Sequence, residues 1–99
     1  MTTDFILCSA IHYDDGKEHV HQPLNIKTGF VVCGRRHHNI FYSVYIINGN
    51  NKLDDYATQG FLTRNNLFLN RQEAYILAKE NGQLIHSHKE GELFSEDIY

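Results

Sequence analysis

Arg35, Arg36, His37 and His38 stand in a row directly after a short apolar run, residues 30–33, and a glycine, Gly34. Two guanidiniums and two imidazoles at a strand exit are the raw material of an anion site. Arginine offers forked donors that match phosphate or carboxylate oxygens. A strand end followed by a helix start also presents main-chain N–H groups that have no acceptor within the helix. A second donor-rich stretch, Thr63-Arg64-Asn65-Asn66, separates two other apolar runs. The competing reading of the first cluster is a solvated loop whose charges pair with acidic residues near the end of the chain. Residue types alone leave both open, because donors do not prove an anion.

Other chemistries fit less well. Seven histidines include the pairs His19/His21, His37/His38 and His86/His88. A His-x-His pair in a strand can point both rings to one face, but structural zinc needs four ligands, and neither cysteine stands in a Cys-x-x-Cys spacing. Exposed histidines on polar edge strands are therefore expected, with no metal. Cys33 beside His37 and His38, or Cys8 near His12, has the residue types of a nucleophile and base. An activated thiolate needs partial exposure and positive surroundings. Both cysteines sit in apolar runs, which predicts buried, inert thiols. Asp14-Asp15 and Asp54-Asp55 fall in turn regions, where aspartate serves the local backbone. No catalytic group and no cofactor is expected.

The elements that would position the cluster follow from the pattern. Residues 5–13 are a nearly continuous apolar run stopped by Asp-Asp-Gly-Lys, which predicts a buried strand and a hairpin turn. Residues 17–22 would return as a short strand until Pro23 ends it. Residues 28–33 form the next strand. The period over 37–47 is ambiguous: Ile40, Phe41, Val44 and Ile47 share a helical face, while the β-branched and aromatic content favours a strand. Its length and the Asn48-Gly49 stop select a helix. After a turn at 48–52 and a connector at 53–58, residues 59–63 and 67–69 make a small hairpin around Arg64-Asn65-Asn66. Asn70 and Glu73 have the spacing of a capping box, which predicts a helix over 71–81 before Gly82. Residues 83–88 read as an edge strand, followed by an acidic tail at 89–99 with apolar anchors, placed to dock on its own domain or on a second subunit. The fold class is α+β: a small, mainly antiparallel sheet packed against two helices, in one domain over 1–99.

Bulk properties bound the function. With 99 residues the chain has one core and little room for a deep pocket of its own. A net charge of −3 argues against a nonspecific binder of long nucleic acid, whose footprint would be a basic face. No apolar stretch approaches the roughly 18–20 residues of a membrane span, and the start lacks the basic and apolar regions of a secretory signal. An intracellular, reduced protein is the expectation. The aromatics Phe30, Phe41, Tyr42, Phe61, Phe68 and Tyr75 are mostly core, with one or two available to stack on a base.

The blocks Gly-Phe-Val-Val-Cys-Gly-Arg-Arg-His-His-Asn at 29–39, Gln-Gly-Phe-Leu-Thr at 59–63, Leu-Phe-Leu-Asn-Arg-Gln-Glu-Ala at 67–74, Gly82-Gln83 and Ser-Glu-Asp-Ile-Tyr at 95–99 occur in an order similar to small proteins of bacteriophages and prophages. The chain also resembles the phage anti-defence sponges that bind cyclic ADP-ribose signals and silence the Thoeris system. That resemblance implies a protein of the infected bacterial cytoplasm that sequesters a nucleotide-derived signal without cleaving it. On the matching positions, Arg35, Arg36 and His37 would hold phosphates, with His38 beside them as a further ligand-binding candidate. Phe61, Thr63, Arg64 and Asn65 would enclose base or ribose, and Arg71 would add a polar contact. A homo-oligomer with sites between subunits would supply the missing concavity. The alternatives are a nucleotide or phosphoester hydrolase using the histidines, and a protein–protein inhibitor of a host factor.

Overall fold

The computed structural model describes residues 4–99; residues 1–3, included in the domain expected over 1–99, lie outside it. Four strands, β1 (Ile6–Tyr13), β2 (Phe30–Gly34), β3 (Ala57–Thr63) and β4 (Phe68–Asn70), form an antiparallel sheet in the order β2-β1-β3-β4. Two helices, α1 (His37–Asn48) and α2 (Arg71–Glu80), complete the α+β fold, with 3-10 turns at Lys52–Tyr56 and Ser95–Asp97.

The register places both helices on one face. Ser9, Ile11 and Tyr13 alternate along β1 and pair with Phe61, Gln59 and Ala57 of β3, so all share a side of the pleat. Ile11 and Tyr13 pack under Ile40 and Val44 of α1, while Phe61 packs under Ala74, Tyr75 and Ala78 of α2 with Leu93. A bulge at Leu7 shifts the pairing so that Ile6 opposes Thr63 and Cys8 opposes Leu62. The extra residue turns Ile6 to the helix-covered side, where it joins the second core cluster.

The ambiguous stretch is a helix. His37, Ile40 and Val44 are buried at helical spacing, and Gly49 closes the helix in the left-handed region at φ 75°, its N–H donating to the Tyr45 carbonyl at 2.8 Å. Tyr42, Tyr45, Ile46 and Ile47 face solvent, which is why the composition mimicked a strand. In α2 the capping box is complete: Glu73 N–H donates to Asn70 Oδ1 at 2.8 Å and Asn70 N–H to Glu73 Oε1 at 3.0 Å.

Two predicted strands are absent. Residues 17–22 form no ladder. Side chains of the same loop do that work, with Val31 N–H donating to Gln22 Oε1 at 2.8 Å on edge strand β2. On edge strand β4, Asn25 accepts from Phe68 N–H at 2.9 Å and donates to the Phe68 carbonyl. Capping both edges with amide side chains leaves few main-chain groups for a further strand to pair with. Residues 83–88 likewise make no strand, because the Gln83 amide takes the strand's place: Ile6 N–H donates to Gln83 Oε1 at 2.7 Å, and Gln83 Nε2 donates to the Ile6 carbonyl at 3.0 Å.

Tyr13 is fully buried, and its hydroxyl has no hydrogen-bond partner. Burial, with the charge of Asp54 behind it, pushes this phenol up to about 12. Tyr13→Phe removes an unsatisfied polar atom and keeps the ring, so urea denaturation should show stability unchanged or raised by up to about 1 kcal/mol. A clear loss would mean that the hydroxyl has a partner.

Candidate functional site

The donor cluster sits where β2 leaves the sheet and α1 begins, and the fold sends its members in different directions. Arg36 reaches the C-terminal segment. Its Nη1 donates to Ser95 Oγ and its Nη2 to the main-chain oxygen of Tyr99, both at 2.9 Å, and the guanidinium lies 5.1 Å from the centre of the Tyr99 ring. The acidic segment at 89–99 therefore docks on its own domain. Leu93 enters the core, and buried Asp97 accepts hydrogen bonds from the Phe94 and His88 N–H groups and from the His88 ring. Burial is the largest single effect and raises the Asp97 carboxyl, but these donors together outweigh it and hold the carboxyl below its ordinary value.

His37 turns inward. Its Nε2 donates to the Gly60 carbonyl at 2.8 Å, and its ring meets Phe61 edge-on at 5.2 Å. Nδ1 is then the acceptor nitrogen, with Arg71 Nη2 at 3.4 Å. Burial, helped by the Arg71 charge, pulls His37 below its usual range despite the Gly60 carbonyl, so the ring is neutral at pH 7. Arg71 donates to the Leu93 carbonyl and to Gln59 Oε1, both at 2.6 Å, and stacks 4.5 Å from the Phe94 ring centre. Arg36, His37 and Arg71 thus tie α1, α2, β3 and the C-terminal segment together. All three have partners within the protein.

Arg35 is the exception. Its main-chain oxygen is fixed by the Ser9 hydroxyl at 3.1 Å and by the Tyr99 hydroxyl, while its exposed side chain makes no hydrogen bond or ion pair among the described residues. Arg35 borders a groove of about 430 Å³ lined by Leu7, Cys8, Cys33, Gly34 and Tyr99. Cys8 and Cys33 point away from the helices, so the groove opens on the sheet face they leave free. Mostly apolar lining with one cation at the rim is the usual make-up of a small-molecule site, and the volume falls within the usual range of roughly 300–1,000 Å³.

The remaining expected contacts lie elsewhere. Phe61 is fully buried in the core and has no face to offer a base. Thr63 is buried, and its hydroxyl accepts from Leu67 N–H. Arg64 lies over the Phe5 ring at 5.8 Å, and Asn65 N–H donates to Asp4 Oδ1 at 3.0 Å. This turn leaves the same end of the sheet as Arg35, but β1 runs between them, a separation of about 10 Å at ordinary strand spacing. His38 is exposed. Cys33 is exposed and Cys8 half-buried, contrary to the expectation of buried thiols, because residues 14–29 cover only the far part of that sheet face. Sequence reasoning also missed Ser9 and Tyr99, which fix the Arg35 backbone; the one available signal was a lone hydroxyl inside the apolar run at 5–13. Among the described residues no three histidine, cysteine or acidic side chains converge on a metal-sized point, and no helix is long and apolar enough to cross a membrane.

Comparison with known proteins agrees with the phage resemblance. The family model described as Phage T4 y16D protein matches residues 5–99. No curated protein and no solved structure shows significant similarity to the chain. Matched over nearly its whole length, from the first residues of β1 through the docked C-terminal segment, the chain belongs to the phage T4 y16D protein family.

Proposed function

We propose that this phage protein binds a small anionic, nucleotide-derived ligand in the groove beside Arg35 and sequesters it without cleaving it. The observation that carries the reading is the Arg35 guanidinium: among the described residues it is the one cation lining an apolar groove of ligand size, and none of them satisfies it. Its carbonyl oxygen is held by two hydroxyls, so the charge is presented from a fixed base. The resemblance to sponges narrows the ligand class to cyclic ADP-ribose isomers or cyclic oligonucleotides acting as immune signals in the host cytoplasm. Homo-oligomerisation belongs to the same reading, since one open groove encloses a ligand only partly; the exposed Tyr42, Tyr45 and Ile46 of α1 offer apolar contact area. Calorimetric titration with these ligands, followed by heat denaturation and chromatography, tests the proposal. Saturable binding with the ligand recovered intact is expected; absence of binding by the whole set contradicts it.

A hydrolase is the second reading, favoured by one observation. Buried Asp97 grips Nδ1 of His88 and leaves the other ring nitrogen available on an exposed residue next to His86, the arrangement in which a carboxylate orients a general base. The same chromatography separates the two readings, because a hydrolase returns product.

A further inference from the structure

The groove holds both cysteines of the chain, and neither has a part in anion binding. Cys33 pairs with Ala10 across β1 and β2, and Cys8 lies two residues along β1 from Ala10. The two thiols therefore project from the same sheet face as diagonal cross-strand neighbours. Each sulfur acts on the other's ionisation: the neighbouring Cys8 thiol pulls the exposed Cys33 down to about 7, and Cys8, half-buried beside Cys33, is pushed above the ordinary thiol range. The other charged or titratable side chains lining the groove are Arg35 and Tyr99. The Tyr99 hydroxyl is committed to Ser9 and to the Arg35 carbonyl, which leaves Arg35 as the cation at the rim.

We propose that Cys33, exposed in the groove between Cys8 and Arg35, is a thiol-modification site for small anionic disulfides of the glutathione type, with Cys8 as its positioning residue. The Cys33 thiolate attacks one sulfur of the disulfide. A new S–S bond forms at Cys33, the old S–S bond breaks, and the second half leaves as a thiolate that takes a proton from water. The exchange needs no other oxidant. Arg35 faces the carboxylates of the incoming disulfide, and the groove receives the half that stays. None of this requires the groove's own ligand to be a nucleotide.

The test is a reaction of the reduced full chain with oxidised glutathione across a pH series, quenched early with acid and read by intact mass and peptide mapping. One glutathione on Cys33 is expected, with the rate rising through a midpoint near pH 7. Cys8→Ala should move that midpoint to about 8.5, the value of a free thiol. At pH 7 its rate should fall about threefold, because roughly 16-fold less thiolate is partly offset by the greater nucleophilicity of a more basic sulfur. Cys8→Ser keeps an O–H donor and should hold the midpoint near that of the unsubstituted chain. Early adducts on Cys8 would overturn the proposal, as would one and the same midpoint in the unsubstituted chain and Cys8→Ala.

Discussion

Arg71→Met is expected to lower the unfolding free energy by about 3 kcal/mol, since hydrogen bonds from a charged group contribute roughly 1.5–3 kcal/mol each and the two short ones, with the longer contact to His37, are lost. The guanidinium is half-buried and holds four partners: the Leu93 carbonyl, Gln59 Oε1, the His37 ring and the face of Phe94. Methionine keeps most of the aliphatic stem, so the loss reports on the polar end and on acceptors left without a donor. In a domain of this size the melting temperature should fall by roughly 12–24 °C. Urea denaturation with an unchanged slope checks the free energy. Arg71 does not line the groove, so ligand affinity per folded molecule should stay the same. A variant of normal stability and lost affinity would instead make Arg71 a binding residue.

Gly60→Ala is expected to be at least as damaging. Gly60 lies in β3 opposite Asn70 of β4, and a Cβ there would collide with the Leu69 carbonyl oxygen and sit 2.7 Å from Phe68 Cζ. The first obstacle is backbone, so strand β4, only three residues long, has to move. The Gly60 carbonyl also accepts the His37 Nε2 hydrogen bond, and a shift of β3 disturbs the start of α1. Overpacking of this kind costs about 3 kcal/mol or more when the neighbour cannot yield. Denaturation measures the loss, and hydrogen exchange should show the β4 amides opening first. Normal protection of β4 would contradict the close approach.

Local signals carried most of the fold. The capping box of Asn70 and Glu73, the Asn48-Gly49 stop and the apolar run at 5–13 act within a few residues, so the sequence displays them directly. The missing strands at 17–22 and 83–88 were illegible for the opposite reason. Gln22, Asn25 and Gln83 replace ladder hydrogen bonds with side-chain amides that reach residues 9, 43 and 77 positions away. A polar residue in a loop does not reveal its distant partner.

The candidate site shows the same limit. The density of donors at 35–38 marked the corner where β2 gives way to α1, but neighbours in sequence have unlike roles in space. Arg36 and His37 meet Ser95 and Gly60, 59 and 23 residues away, and become structural. Arg35 is left unpaired among the described residues. The exposure of Cys33 was hidden as well, because its apolar neighbours describe a strand without saying which part of the sheet face a loop covers.

Calorimetry of the unsubstituted chain and Arg35→Ala, titrated with the ligand of the panel that binds, tests the central claim most directly. Arg35→Ala is expected to keep its denaturation midpoint, because the side chain has no partner within the described protein. Its affinity should fall roughly 10- to 100-fold, the value of about 1.5–3 kcal/mol for a charged hydrogen bond. Unchanged affinity in a folded Arg35→Ala would contradict the account and remove the groove as the binding site.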